Sequence, residues 1–304
     1  VRNATTTCPV EWASIITLSD PPLPVISNVI PTNPTDCGAA DGTISILATA
    51  GTGTYQYSIN GSSGPWQTSA SFTGLAPGSY EVWVRNATTT CPVEWASIIT
   101  LSDPPLPVIS NVTPSNPTDC GAADGTISIL ATAGTGTFQY SINGSSGPWQ
   151  TSASFTGLAP GSYEVWVRNA TTTCPVEWAS IITLSDPPLP VISNVTPSNP
   201  TDCGAADGTI SILATAGTGT FQYSINGSSG PWQSSSLFTG LAPGNYEVWV
   251  RNATTTCPVE WASIITLSDP PLPVISNVIP TNPTDCGAAD GTISILATAG
   301  TGTY

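Results

Sequence analysis

The 304-residue chain carries 19 acidic residues against four cations, all of them Arg, for a net charge of −15, and it has no His, Lys or Met. Without imidazole or amine side chains, most general-base, Schiff-base and imidazole–metal chemistry is excluded, and so are Lys–Asn isopeptide cross-links. The charge repels nucleic acid and anionic lipid, and no apolar run approaches the ~20 residues that cross a bilayer as a helix.

One unit recurs from end to end. Val-Arg-Asn-Ala-Thr-Thr-Thr-Cys begins at Val1, Val84, Val167 and Val250, a period of 83 residues with no insertion or deletion. Residues 250–304 repeat residues 1–55 letter for letter, whereas the two middle copies carry Thr113-Pro-Ser and Thr196-Pro-Ser in place of Ile-Pro-Thr. A higher period of three units would produce that pattern. Near-identical arrays do one job by number, spacing or length, and both ends read as cuts through a longer array.

The Pro-rich stretch Leu18-Ser-Asp-Pro-Pro-Leu-Pro24 returns at Leu101, Leu184 and Leu267. Such a string cannot lie inside a central strand and favours a stiff, extended connection. Boundaries placed there give complete domains at 24–106, 107–189 and 190–272, with the tail of one unit at 1–23 and the head of another at 273–304. Pro (30) and Gly (28) are abundant, but 39% hydrophobic content and ten Trp oppose disorder.

Within 24–106 the first strand is expected at 25–29. Asp41-Gly42 turns into a strand at 43–49 in which Ile44, Ile46 and Ala48 alternate with Thr43, Ser45 and Leu47. Tyr55, Tyr57 and Ile59 form one face of the next strand, which Asn60-Gly61 ends in a hairpin-type turn. A segment at 66–72 follows, then Pro77-Gly78 leads into a strand at 79–85 with Tyr80, Val82 and Val84 on one face. The last strand, 93–101, carries Val93, Trp95, Ile99 and Leu101. Six or seven short strands with turn signals about every ten residues describe an all-β fold, a tandem array of small β-sandwiches.

Two Cys per unit in a small β-domain point to disulfides and an oxidising, extracellular setting; thiolate metal binding would ordinarily use a CxxC pair, and the chain has none. On these boundaries the expected pairs are Cys37–Cys91, Cys120–Cys174 and Cys203–Cys257, each inside one domain. The alternative, Cys8–Cys37 with Cys91–Cys120 and so on, would staple adjacent domains.

Four stretches carry a family resemblance: Cys37-Gly-Ala-Ala-Asp-Gly-Thr-Ile-Ser-Ile, Tyr55-Gln-Tyr-Ser-Ile-Asn-Gly, Phe72-Thr-Gly-Leu-Ala-Pro-Gly-Ser-Tyr-Glu-Val and Val84-Arg-Asn-Ala-Thr-Thr-Thr-Cys. In this order they resemble the SprB-type repeat, an Ig-like β-domain strung in tandem in large surface adhesins of gliding Bacteroidetes bacteria. The resemblance covers essentially the whole unit. It implies an exported, cell-surface, non-enzymatic protein with Ig-like sandwich domains.

Candidate sites are few. Asp36 and Asp41 bracket the first Cys of the unit, with Asp20 in the preceding linker, and carboxylates of this kind could bind Ca²⁺; an Asp-Gly turn and a capping Asp account for them without an ion. No other cofactor is expected. Glu81, Trp83 and Arg85 share the strand face opposite Val82, so Trp83, Trp166 and Trp249 form a candidate contact face, either for packing against a neighbouring copy or for stacking on surface glycans. Nine sequons, at Asn3, Asn60, Asn86, Asn111, Asn143, Asn169, Asn194, Asn226 and Asn252, mark candidate glycosylation sites. The chain is expected to be an extracellular filament, stalk or adhesin shaft, partnered by itself or by the continuing array. The alternative is a glycan- or cell-binding module using the Trp face.

Overall fold

The computed structural model describes residues 4–5, 14–89 and 91–300. Every regular element among them is a strand, and no helix is long and apolar enough to cross a membrane. The first full repeat contains β1 (Pro24–Thr32), β2 (Gly42–Ala50), β3 (Tyr55–Ser58), β4 (Ser71–Leu75), β5 (Gly78–Tyr80), β6 (Trp83–Asn86), β7 (Val93–Glu94) and β8 (Ile99–Leu101). The same eight recur from Pro107 to Leu184 and from Pro190 to Leu267, and Pro273–Thr281 with Thr292–Ala299 repeats the first two. The fold is all-β, built of small antiparallel sheets that recur with the repeat.

β1, β2 and β4 form one antiparallel sheet; β3, β6 and β7 form another, with β5 paired to β8. Alternation in β2 buries Ile44 and Ile46, as its pattern predicts. In β1 the buried pair is Ile26 and Val29, three residues apart. A bulge between Ile26 and Asn28 resets the register, so strict alternation misses this pair. Gly42 marks a close approach: a Cβ there would lie 2.8 Å from the Leu75 carbonyl oxygen and 2.9 Å from Leu101 Cδ1. The core closes around Ile44, Val82, Val84 and Leu101, with Phe72, Tyr80 and Trp95 packed at its margin.

Two expected strands are each split, giving eight strands rather than six or seven. The run at 79–85 breaks because β5 pairs with β8 while β6 pairs with β3 and β7, and the chain changes partner at Glu81–Val82. The run at 93–101 divides into β7 and β8 for the same reason.

Contacts divide the chain into two compact units: Val1–Val112, Ile129–Ala153 and Glu164–Ser180 in one, Thr113–Ser128, Ser154–Tyr163 and Ile181–Tyr304 in the other. The first holds the whole of the first full repeat; the second holds the whole of the third, whose core repeats the pattern with Ile210, Val248, Val250 and Leu267. In the hairpin Pro273–Thr281/Thr292–Ala299, by contrast, Val274, Ile275, Val278 and Ile295 are all at least half exposed.

Candidate functional site: the joint between repeats

The loop after β1 is organised by its carboxylates. Asp41 accepts from the Thr35 backbone N–H at 3.0 Å and from the Thr35 hydroxyl, closing the loop. Asp36 accepts from the Cys37 N–H at 2.8 Å, and its carbonyl accepts from Ala39 N–H at 3.1 Å. Gly38, at φ +67°, then turns its N–H onto Asp103 Oδ1 at 2.7 Å, and Asn33 Oδ1 accepts from Ser102 N–H at 3.0 Å. The loop therefore rests on the linker that leaves its own repeat.

Inside the first unit this loop meets a turn of the next repeat. Thr173 donates its N–H (2.8 Å) and its hydroxyl (2.7 Å) to the two oxygens of Asp36, and Cys37 is disulfide-bonded to Cys174 with a Cα separation of 6.0 Å. Inside the second unit the arrangement is repeated: Thr256 donates both groups to Asp119, and Cys120 is bonded to Cys257. Each bridge spans 137 residues.

This pairing is neither of those expected. Cys37–Cys91, Cys120–Cys174 and Cys203–Cys257 do not form; Cys91, Cys203 and Cys286 are free and exposed, and Cys8 lies outside the described residues. The reason is the length of β1. Cys37 follows its end, whereas Cys91 lines a groove with Asp20, Pro21 and Leu23 at its start. Nine extended residues separate these ends by roughly 30 Å, and a disulfide requires Cα atoms within about 7 Å. The Cys at the trailing end of one repeat can meet only the Cys at the leading end of the next.

Asp36 and Asp41, the Ca²⁺ candidates, use their carboxylates for these hydrogen bonds. The Thr173 hydroxyl, then the Thr173 and Cys37 N–H groups, hold Asp36 below the usual carboxylate range. At Asp119 the Thr256 N–H leads, followed by its hydroxyl and the Cys120 N–H. A carboxyl with a depressed folded pKa stabilises the joint above its unfolded value, near pH 4, and this contribution is lost as pH falls through the folded pKa. The unfolding midpoint is therefore expected to drop below about pH 4, and less steeply in the Asp36→Asn/Asp119→Asn chain. An unchanged pH profile in that variant would remove the two carboxylates from the joint's energetics. Asp41, Asp124 and Asp207, held low first by Thr35, Thr118 and Thr201 hydroxyls, account for acid dependence that remains.

The sequons divide by burial. Asn60, Asn111, Asn143, Asn194 and Asn226 are exposed, and Asn3 lies outside the described residues. Asn86, Asn169 and Asn252 are fully buried, a correction to their candidacy. Asn169 donates from Nδ2 to Pro105 O at 3.0 Å and accepts from Thr135 N–H at 3.1 Å, so its carboxamide ties the leading linker to its own repeat. Asn86 does the same with Pro22 and Thr52. Expression in a glycosylating host should place glycans on the exposed set and none on Asn86, Asn169 or Asn252, read by glycopeptide mapping. Occupancy of the buried three in folded protein would contradict the assigned bonds.

Trp83, Trp166 and Trp249 do lie opposite the core-facing valines, but they are half-buried and their indole N–H groups are enclosed without a partner among the described residues. The cation stands elsewhere. Arg85 lies over the ring of Trp66 at 4.3 Å and donates from Nε to Gln56 Oε1 at 2.8 Å, repeated at Arg168–Trp149 and Arg251–Trp232. Nothing in the spacing of residues 66 and 85 signals this stack.

Residues 28–64 match the SprB repeat family, so the resemblance carried by the motifs holds over that stretch. No curated protein matches the chain. Similar solved structures include a C-terminal 282-residue fragment of intimin in complex with the intimin-binding domain of the translocated intimin receptor, at 15% identity over 56% of this chain and 67% of that one, with a TM-score of 0.25. The S-layer protein rSbsC is 12% identical over 90% of this chain, with a TM-score of 0.25, and the chain spans 49% of its length. The N-terminal four Ig domains of Dscam1 isoform 6.9 are 14% identical, covering 91% of this chain and 86% of that one, with a TM-score of 0.20.

Proposed function

We propose that the chain is part of an extracellular structural array, a surface filament, stalk or adhesin shaft, in which the repeats act through number and linkage and not through catalysis. The observation that carries this reading is the twice-formed joint: the trailing loops at Asp36–Cys37–Gly38 and Asp119–Cys120–Gly121 are each tied to the following repeat by a disulfide and by paired Thr–carboxylate hydrogen bonds. The two bridges overlap, so the stretch from Cys37 to Cys257 is spanned without a break. Tension on the chain passes through sulfur–sulfur bonds before it can unravel a sandwich. Persistent disulfides belong to oxidising compartments, and the SprB-type match agrees with a surface setting. A glycan-gripping role for Trp83 gains no support from its enclosed indole N–H.

Single-molecule stretching tests this. The oxidised chain should release only part of the contour length that the reduced chain releases. Equal release in the two states would rule out a mechanical role for the joints.

A further inference from the structure

Both joints gather more than a disulfide needs. Asp36, Cys37 and Cys174 bring one carboxylate and two sulfurs together, with these atoms all within 4.8 Å of one another, and Asp119, Cys120 and Cys257 repeat the cluster. Asp36 Oδ1 stands 3.3 Å from Cys174 Sγ, and Asp119 Oδ1 stands 3.3 Å from Cys257 Sγ. Around a tetrahedral Zn²⁺, thiolate sulfur lies at about 2.3 Å and carboxylate oxygen at about 2.1 Å, which makes the S···O edge about 3.6 Å. The carboxylate therefore already stands near ligand spacing from one sulfur. All six residues are partly exposed, so solvent reaches each cluster.

The carboxylate is also oriented as a metal ligand must be. Three donors fix Asp36: the Cys37 N–H at 2.8 Å, the Thr173 N–H at 2.8 Å and the Thr173 hydroxyl at 2.7 Å. A carboxylate has about four lone-pair sites, so one remains for a cation. Outer hydrogen bonds of this kind set ligand direction in metal sites. Asp119 is held in the same way by Cys120 and Thr256. The Thr172 and Thr255 hydroxyls, in residues 5% and 4% exposed, have no partner among the described residues. Each is an uncommitted hydroxyl two residues before the cysteine, for the water that a three-ligand site leaves in the fourth position.

From this arrangement we infer that each joint, in its dithiol form, binds a thiophilic divalent cation of the Zn²⁺ class. The ligands are Cys37 Sγ, Cys174 Sγ and an Asp36 carboxylate oxygen in the first joint, and Cys120, Cys257 and Asp119 in the second. Opening the bridge with a dithiol breaks one S–S bond: the two sulfurs take up two electrons and two protons, and the dithiol closes to its own disulfide. Zn²⁺ then displaces both thiol protons and forms two Zn–S bonds. The sulfurs separate to a tetrahedral edge of about 3.8 Å, within reach of residues whose Cα atoms are 6.0 Å apart. Ca²⁺ is a hard cation that takes about six to eight oxygens, and two thiolates do not suit it. The joint is thus linked in both redox conditions, by sulfur–sulfur bonding where thiols are oxidised and by metal where they are kept reduced. This rests on the cysteine pairing of the array reading and adds a ligand to it.

The test uses the full chain with Cys8, Cys91, Cys203 and Cys286 changed to Ser, so that only the joint cysteines remain. Disulfide mapping first reads the pairing in the oxidised protein. The chain is then reduced anaerobically with dithiothreitol, freed of it by gel filtration and titrated with Co²⁺. Thiolate-to-cobalt and tetrahedral ligand-field bands report occupancy, and competition with Zn²⁺ reports affinity. Two ions per chain, one for each joint, are expected after reduction and none before it, and Cys174→Ser should lower the number to one. Asp36→Asn with Asp119→Asn should weaken binding at least about tenfold, and Thr173→Val with Thr256→Val about tenfold. Uptake by the oxidised chain, no uptake by the reduced one, or unchanged affinity in the Asp pair would overturn the proposal. If mapping returns Cys37–Cys174 and Cys120–Cys257 while the reduced chain takes no cobalt, only the metal site fails; if it returns other pairs, the array reading fails with it.

Discussion

Replacing Cys174 with Ser is expected to lower the stability of the oxidised chain by about 4–5 kcal/mol, whereas replacing Cys91 should change it by less than ~0.5 kcal/mol. The bridge to Cys174 closes a loop of 137 residues, and closing so long a loop removes much of the unfolded chain's conformational freedom. Cys91 is an exposed thiol with no bridge to lose. Unfolding of a repeat array need not be two-state, so the comparison is made on urea midpoints followed by Trp fluorescence under identical oxidising conditions. Equal losses for Cys91→Ser and Cys174→Ser would restore a bridge within the repeat and remove the joint.

The second large effect is expected in the sandwich. Ile44 is wholly enclosed at the centre of β2, where it pairs with Phe72 on one side and Pro31 on the other. Ile44→Ala removes three carbons from a site walled by two sheets, and partial collapse leaves a cavity. The expected cost is about 2–5 kcal/mol. Thr43→Ala, on the solvent-side alternation of the same strand, should stay within ~0.5 kcal/mol. The two variants together check the register of β2 by chemical denaturation. Comparable losses at both positions would mean that the inward face has been misassigned.

Much of this molecule is legible in its sequence. The 83-residue period, the Pro-rich connections, the Asp-Gly and Asn-Gly turns and the inward face of β2 are local properties: each is encoded by residues within a few positions of one another. Tyr80, Val82 and Val84 were readable as a core-facing set because side chains alternate along any extended backbone, and this remains so although the chain changes sheets between them. The absence of His and Lys is likewise a property of the composition alone.

Tertiary structure decided what depends on distance between remote residues. Asn86 reads as an open sequon, yet the sandwich buries it and spends its carboxamide on Pro22 and Thr52. Arg85 reads as a neighbour of Trp83, yet the loop leading to β4 brings Trp66 onto its guanidinium. The cysteines show the reason most directly. Cys37 and Cys91 are 54 residues apart in sequence but sit near opposite ends of a strand about 30 Å long, whereas Cys37 and Cys174 are 137 apart and their Cα atoms lie within 6.0 Å. Periodicity tells which face a residue occupies; only the packed chain tells which end of its domain it reaches, and so which partner it can bond.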